Sequence, residues 1–219
     1  MPAEQTRLDS PDELDMAVGP AMFTQRAIRR FDNTRPIADE VLKIVLDTGS
    51  KAPSGGNTQP ARLVVLRDSA VIEKFGTLYH EAWWAKRRDQ FGWEPDQEIP
   101  HDSPFRMAAL LAAEMTAAPA VVLAYTPPGV PDGALSVLPG VQNLMLAARA
   151  LGVGSVLTTL HPQVMDRVTE FVGAPEGAQF YCCVPLGYPR GAFGPTQRRP
   201  TADTTFWNTW GERPPWGYE

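Results

Sequence analysis

Apolar and polar positions alternate between two periods along the chain, and the switches mark its elements. A helix is predicted from about Pro20 to Arg29, with Pro20 suited to a first helical turn. Asp32 to Pro36 reads as a turn. A second helix follows over about Asp39–Ser50, with Val41, Ile44, Val45 and Thr48 on one face. Arg62 to Leu66 is a β-branched run and reads as a buried strand. After Asp68 the helical period returns in Val71, Ile72, Phe75, Leu78 and Tyr79. From Glu81 to Pro104 the period fades among three tryptophans, many charges and prolines. That stretch reads as the end of a helix and a long excursion.

Phe105 to Thr116 is predicted helical, with Met107, Leu110, Leu111 and Met115 as its core stripe. Ala120 to Tyr125 reads as a buried strand and residues 126–133 as a loop. A long helix rich in small residues is expected from about Ala134 to Leu151, where Ala147, Ala148 and Ala150 would permit close helix approach. Gly152-Val-Gly154 follows a helix and opens a strand. It is therefore a helix C-cap rather than a dinucleotide loop, which must follow a strand. A strand over Ser155–Leu160, a helix over Pro162–Val172 and a strand over Phe180–Leu186 complete the pattern.

With 219 residues the chain can bury a core without staples. The net charge of −5, with only short arginine pairs, argues against a nucleic-acid partner. The two cysteines, Cys182 and Cys183, are adjacent and would point to opposite faces of a strand. They offer neither a disulfide framework nor a shared zinc site, which fits a reducing cytoplasm. The apolar stretch Ala108–Tyr125 is broken by Glu114 and Pro119, and the N-terminus lacks an apolar signal core. A soluble chain is expected: a loose arm over 1–18, then one domain over 19–219 that includes a C-terminal arm from 200.

Candidate chemistry gathers at Lys51–Leu66, KAPSGGNTQPARLVVL. Ser54, Gly55 and Gly56 allow close backbone approach, and Asn57, Thr58 and Gln59 offer short donors and acceptors. The stretch is either a ligand loop beside a sheet or an ordinary helix-to-strand connection. Arg26 and Arg29, on one face of the expected first helix, are either a site for a phosphate monoester or a solvated basic face. Arg198 and Arg199 are either a second basic pair or a solvated turn. Trp83, Trp84 and Trp93 either anchor a surface insertion or line a lid over a flat ligand. His80, His101 and His161 are scattered and show no metal-ligand spacing. No catalytic set of side chains is visible, which is the expected state of a protein whose cofactor carries the chemistry.

Four segments in order, Gln25–Phe31 (QRAIRRF), Lys51–Leu66, Leu138–Leu160 and Val184–Gly191 (VPLGYPRG), resemble the nitroreductase-like family of FMN-dependent oxidoreductases. The resemblance covers roughly residues 20–210. It implies an α+β fold, with a central mixed or antiparallel sheet near Leu63, Val121, Val156 and Tyr181 flanked by helices. It implies FMN held at Gln25, Arg26, Ala27 and Arg29, at Pro53, Ser54, Asn57 and Gln59, by backbone at Leu157, Thr158 and Thr159, and by Arg198 or Arg199. Gln25 and Ala27 depart from the family's arginine and serine. A substrate lid over residues 80–104 and a homodimer with FMN at its interface are also implied. The expected activity is hydride transfer from NADH or NADPH through flavin N5 to a nitroaromatic, quinone or other conjugated acceptor. Alternatives are a dehydrogenase, dehalogenase or flavin-fragmenting enzyme of the same fold, or a non-catalytic flavin carrier.

Overall fold

The computed structural model describes residues 9–131 and 133–216. The part of the expected N-terminal arm before residue 9, and residues 217–219 of the C-terminal arm, lie outside the described residues. The fold is α+β. Four strands, β1 (Arg62–Leu66), β2 (Ala120–Thr126), β3 (Gly154–Ser155) and β4 (Gln179–Gly187), form one antiparallel sheet in the order β1-β2-β4-β3.

Every residue of β2 is buried, because helices cover both faces of the sheet. Side chains alternate along a strand, and the sheet therefore separates two cores. Val121, Leu123 and Tyr125 join a core with α3 (Ser69–Phe91), α4 (Arg106–Glu114) and α6 (Pro162–Phe171). Ala120, Val122 and Ala124 join the other, with α2 (Asp39–Gly49) and α5 (Ala134–Ala150). Cys183 faces the first core and Cys182 the second, as their adjacency requires, and both are free and buried.

The structure corrects several boundaries. Helix α1 is only Val18–Thr24, and the chain from Arg26 to Phe31 is extended. It lies along the edge of the sheet, where Ala27 bridges Ser155, Phe31 bridges Pro189, and Ile28 N–H donates to Ser155 O at 2.9 Å. Burial of Ile28 and Phe31 outweighs the local helical pattern. The expected strand over 155–160 is interrupted after Ser155. Its register returns at Thr158, which exchanges two backbone hydrogen bonds with Cys183 (2.9 and 2.8 Å). Between them Val156 would face Pro185, which has no N–H to give.

Helix α3 continues through the stretch read as an excursion and stops at Phe91. Gly92, at φ 68°, forms a left-handed cap there. Trp83 and Trp84 are thus core residues, each 6% exposed. Met107, expected in the stripe of α4, is exposed instead. The close approach of α2 to α5 runs through Gly49 and Gly140 rather than through the alanines. A Cβ on Gly140 would meet Gly49 O at 2.7 Å.

Candidate active site

The extended segment 26–30 forms one wall of a cavity of about 330 Å³, completed by Met107 and residues 189–192. Four arginines line it: Arg26, Arg29, Arg30 and Arg190. Two of them share a carboxylate, since Arg30 and Arg190 reach Glu114 Oε1 at 2.9 and 3.2 Å. Arg190 also donates from Nε to Phe31 O at 2.7 Å, which fixes it to the edge segment. Among the described residues, the guanidiniums of Arg26 and Arg29 make no hydrogen bond or ion pair. Two free planar forks beside a pair that one carboxylate only half neutralises are a fitting site for a phosphate monoester. Arg26 and Arg29 both line the cavity from extended backbone, not from a shared helix face.

Of the other predicted phosphate contacts, Ala27 lines the cavity, whereas Gln25, Arg198 and Arg199 do not. Gln25 turns its amide toward Met145, with Nε2 at 3.9 Å from Sδ. Ala27 is held in its bridge to Ser155. Arg198 is exposed and donates to Gln197 O at 2.7 Å; Arg199 is exposed as well, and neither lines the cavity.

The loop from Pro53 to Gln59 is tightly built. Gln59 N–H donates to Ser54 Oγ at 2.9 Å, and Gln59 Nε2 to Asn57 Oδ1 at 3.1 Å. Gly56, Asn57 and Gln59 have φ of 55°, 55° and 49°. The left-handed conformation is costless for Gly56 but costs roughly 1 kcal/mol at a side-chain-bearing position. Pro53 and Ser54 line a second cavity, of about 670 Å³, with residues of the 127–136 segment. Gly55 N–H donates to Ser136 Oγ at 3.2 Å, at the start of α5. At the far end of the same helix Arg149 Nε donates to Thr24 Oγ1 at 2.7 Å, just before the arginine segment. At about 1.5 Å per residue, these two anchor points are roughly 20 Å apart. The loop set and the arginine set do not meet within one chain.

Leu157, Thr158 and Thr159 follow the interrupted strand. Thr158 N–H is committed to Cys183 O, and its Oγ1 lies 2.9 Å from the Tyr79 hydroxyl. Burial pushes the Tyr79 phenol well above its ordinary range, so it stays protonated. Lys86 donates to Thr159 O at 2.5 Å and to Thr159 Oγ1 at 2.7 Å. Desolvation lowers the Lys86 pKa. Tyr79, Lys86, Arg30 and Arg190 were not singled out in the sequence. Arg30 and Arg190 carried a signal, as parts of the QRAIRRF and VPLGYPRG segments. Among the described residues no group of His, Cys, Asp or Glu could hold a metal ion, and no helix is long and apolar enough to cross a membrane.

Fold and site together define an antiparallel-sheet α+β protein with an arginine-walled cavity at the sheet edge and a strained polar loop at the other end of its central helix. The chain belongs to the nitroreductase family, whose model matches residues 23–188. An Archaeoglobus fulgidus protein provisionally named NADH dehydrogenase/NAD(P)H nitroreductase is 30% identical over 171 residues, spanning 77% of this chain and 83% of that one. A Thermotoga neapolitana iodotyrosine deiodinase is 25% identical over 172 residues, 75% and 84% of the two chains. The fold is shared with an oxidised iodotyrosine deiodinase solved with FMN and 3-iodo-L-tyrosine. The TM-score is 0.72 and the identity 21%, over 89% of this chain and all of that one.

Proposed function

We propose that this chain is an FMN-dependent oxidoreductase that uses NADH or NADPH to reduce a conjugated acceptor such as a nitroaromatic or a quinone. The cradle of Arg26 and Arg29 carries the reading, because two free guanidiniums at the matching family positions suit the FMN phosphate. When bound, FMN supplies the redox chemistry, taking hydride at N5 and passing it to the acceptor. The protein then has to bind, orient and shield. Arg26 and Arg29 hold the phosphate; Arg190 and Arg30, tied to Glu114, add positive potential without competing for it. Ser54, Asn57 and Gln59 present hydroxyl and amides to the ring edge and ribityl chain. Of the Leu157–Thr159 turn, Thr158 has already spent its N–H, so the N–H groups of Leu157 and Thr159 are those left for the ring. Arg198 or Arg199 closes over the phosphate from the tail.

The functional unit is a homodimer with FMN at the interface. In support, the loop set and the arginine set sit toward opposite ends of α5, so a second copy is needed to bring one to the other. The excursion between α3 and α4, residues 92–105, serves as the lid, and Trp93 is its remaining tryptophan. Buried free cysteines suit a cytoplasmic location.

A second reading, reductive dehalogenation of an aromatic, is favoured by the deiodinase relatives. The test is the visible spectrum of purified protein before and after anaerobic NADH and NADPH, followed by an acceptor panel that includes halophenols. A two-banded flavin spectrum that bleaches is expected. A colourless protein that no added FMN restores would sink both readings. Sedimentation should give a species of twice 24.0 kDa; a flavin-loaded monomer would contradict the interface.

A further inference from the structure

Tyr79, Trp83, Arg87 and Phe91 are spaced four apart and share one face of α3. The first contacts Thr158 through its hydroxyl. Two turns along, roughly 12 Å by helix rise, lies Arg87. Its guanidinium sits among three rings: 5.5 Å from the centroid of Trp83, 5.6 Å from Phe91 and 4.7 Å from Phe105. Its Nε is buried and has no hydrogen-bond partner. Among the described residues, no carboxylate pairs with it.

The surrounding charges are otherwise used. Arg88 pairs with Asp89 at 2.8 Å, Arg167 with Glu81 at 2.7 Å, and Asp96 of the overlying segment with His80 at 3.0 Å. Cation–π contact explains why a guanidinium is tolerated between rings. It does not explain a buried N–H without an acceptor, which a leucine or methionine would avoid. An acceptor that arrives with a ligand removes the difficulty.

We propose that Arg87 reads a carboxylate on the acceptor, so that the preferred substrates are aromatic acids, with Trp83 as a flat wall for the ring. This rests on the oxidoreductase reading and narrows it. The bidentate fork of arginine matches a carboxylate, and the rings exclude the water that would screen the pair. Arg87 is then a specificity-determining residue under the 92–105 segment, and a ligand enters by displacing Phe105 at the end of that segment.

The test is calorimetric titration of the purified, FMN-loaded protein, without reductant, with 4-hydroxybenzoate and its neutral isostere 4-hydroxybenzamide. The acid should bind about tenfold to hundredfold more tightly than the amide, the range of a charge-assisted hydrogen bond. That ratio should fall toward one in Arg87→Leu and Arg87→Gln and be kept in part by Arg87→Lys. A purely structural Arg87 would not move the ratio. A wild-type ratio near one, no binding of either compound at millimolar concentration, or an unchanged ratio in a folded Arg87→Leu or Arg87→Gln variant would overturn the proposal. Failure of the oxidoreductase reading is seen separately, as absence of a flavin spectrum or of its bleaching.

Discussion

Replacing Gly154 by alanine tests whether the arginine segment is held in place by close packing on the sheet. A methyl at Gly154 would stand 2.7 Å from Ile28 Cγ2, 2.8 Å from its Cβ and 3.0 Å from its Cγ1. Carbon atoms in contact prefer about 3.5–4.0 Å, so the two residues must part by several tenths of an ångström. Rotation about χ1 moves only the Cγ atoms, and the Cβ clash remains. Ile28 is also tied to Ser155 O by its own N–H. The least costly response is to lift the whole 26–31 segment off β3. Overpacking of this kind costs about 1–3 kcal/mol, offset by roughly 0.4–1 kcal/mol from the stiffer unfolded chain. The net loss, up to about 2.5 kcal/mol, lowers Tm by as much as roughly 10 °C in a domain of this size. Because Arg26 and Arg29 travel with Ile28, the FMN Kd should rise about tenfold or more. Thermal unfolding of apoprotein gives the first number and flavin fluorescence quenching the second. Unchanged Tm would refute the packing argument. A lowered Tm with unchanged FMN affinity would refute the assignment of the segment as the phosphate cradle.

Arg26→Ala and Arg29→Ala should each weaken FMN binding by about tenfold to hundredfold by fluorescence titration, whereas Arg30→Ala, already paired with Glu114, should cost less. Gly76→Ala places a Cβ 2.5 Å from Thr116 N and 2.6 Å from Thr116 Cα, a backbone clash that no rotamer relieves; a loss beyond about 3 kcal/mol, or no soluble protein, is expected. Burial pushes the Cys182 thiol up to about 12 from 9.0, and Cys183 moves in the same direction. The fold therefore keeps these thiols protonated while the unfolded chain releases them. Their contribution to stability is complete below pH 9 and is lost as pH rises toward 12, by about 1.4 kcal/mol per pH unit for each thiol. Melting curves across that range should fall, and thiol reagents should stay unreactive at pH 8 until the protein is denatured.

Buried strands and long helices were legible because their signal is local. The ValValLeuAlaTyr run, the α5 pattern and the Gly152 cap each carry their own period or punctuation. What escaped the pattern depends on a distant partner. Residues 26–29 look helical until Ser155 is beside them, and Val156–Leu157 look like strand until Pro185 faces them. Trp83 and Trp84, within a charged stretch, read either as anchors of an insertion or as the lining of a lid, whereas α3 carries them into the core. The site was legible in part for the same reason. Loop 53–59 and the arginines stood out by composition, whereas Tyr79, Lys86 and Arg190 matter only through contacts across 79, 73 and 159 residues.

Among the described residues the sheet contains no hairpin. β1 pairs with β2 and β2 with β4, each across about sixty residues, and Ala27 meets Ser155 across more than twice that span. No pair of strands can form from a short stretch of nascent chain, so the helices must organise before the sheet closes. Such a topology folds slowly, and the edge of β2 that pairs with β4 stays open until β4 has been synthesised. During that interval Ala-Val-Val-Leu-Ala-Tyr is an open template for pairing with other chains. Yield of active protein should therefore respond more to synthesis temperature and chaperone supply than to surface substitutions, because the hazard lies in the order of assembly rather than in the finished molecule.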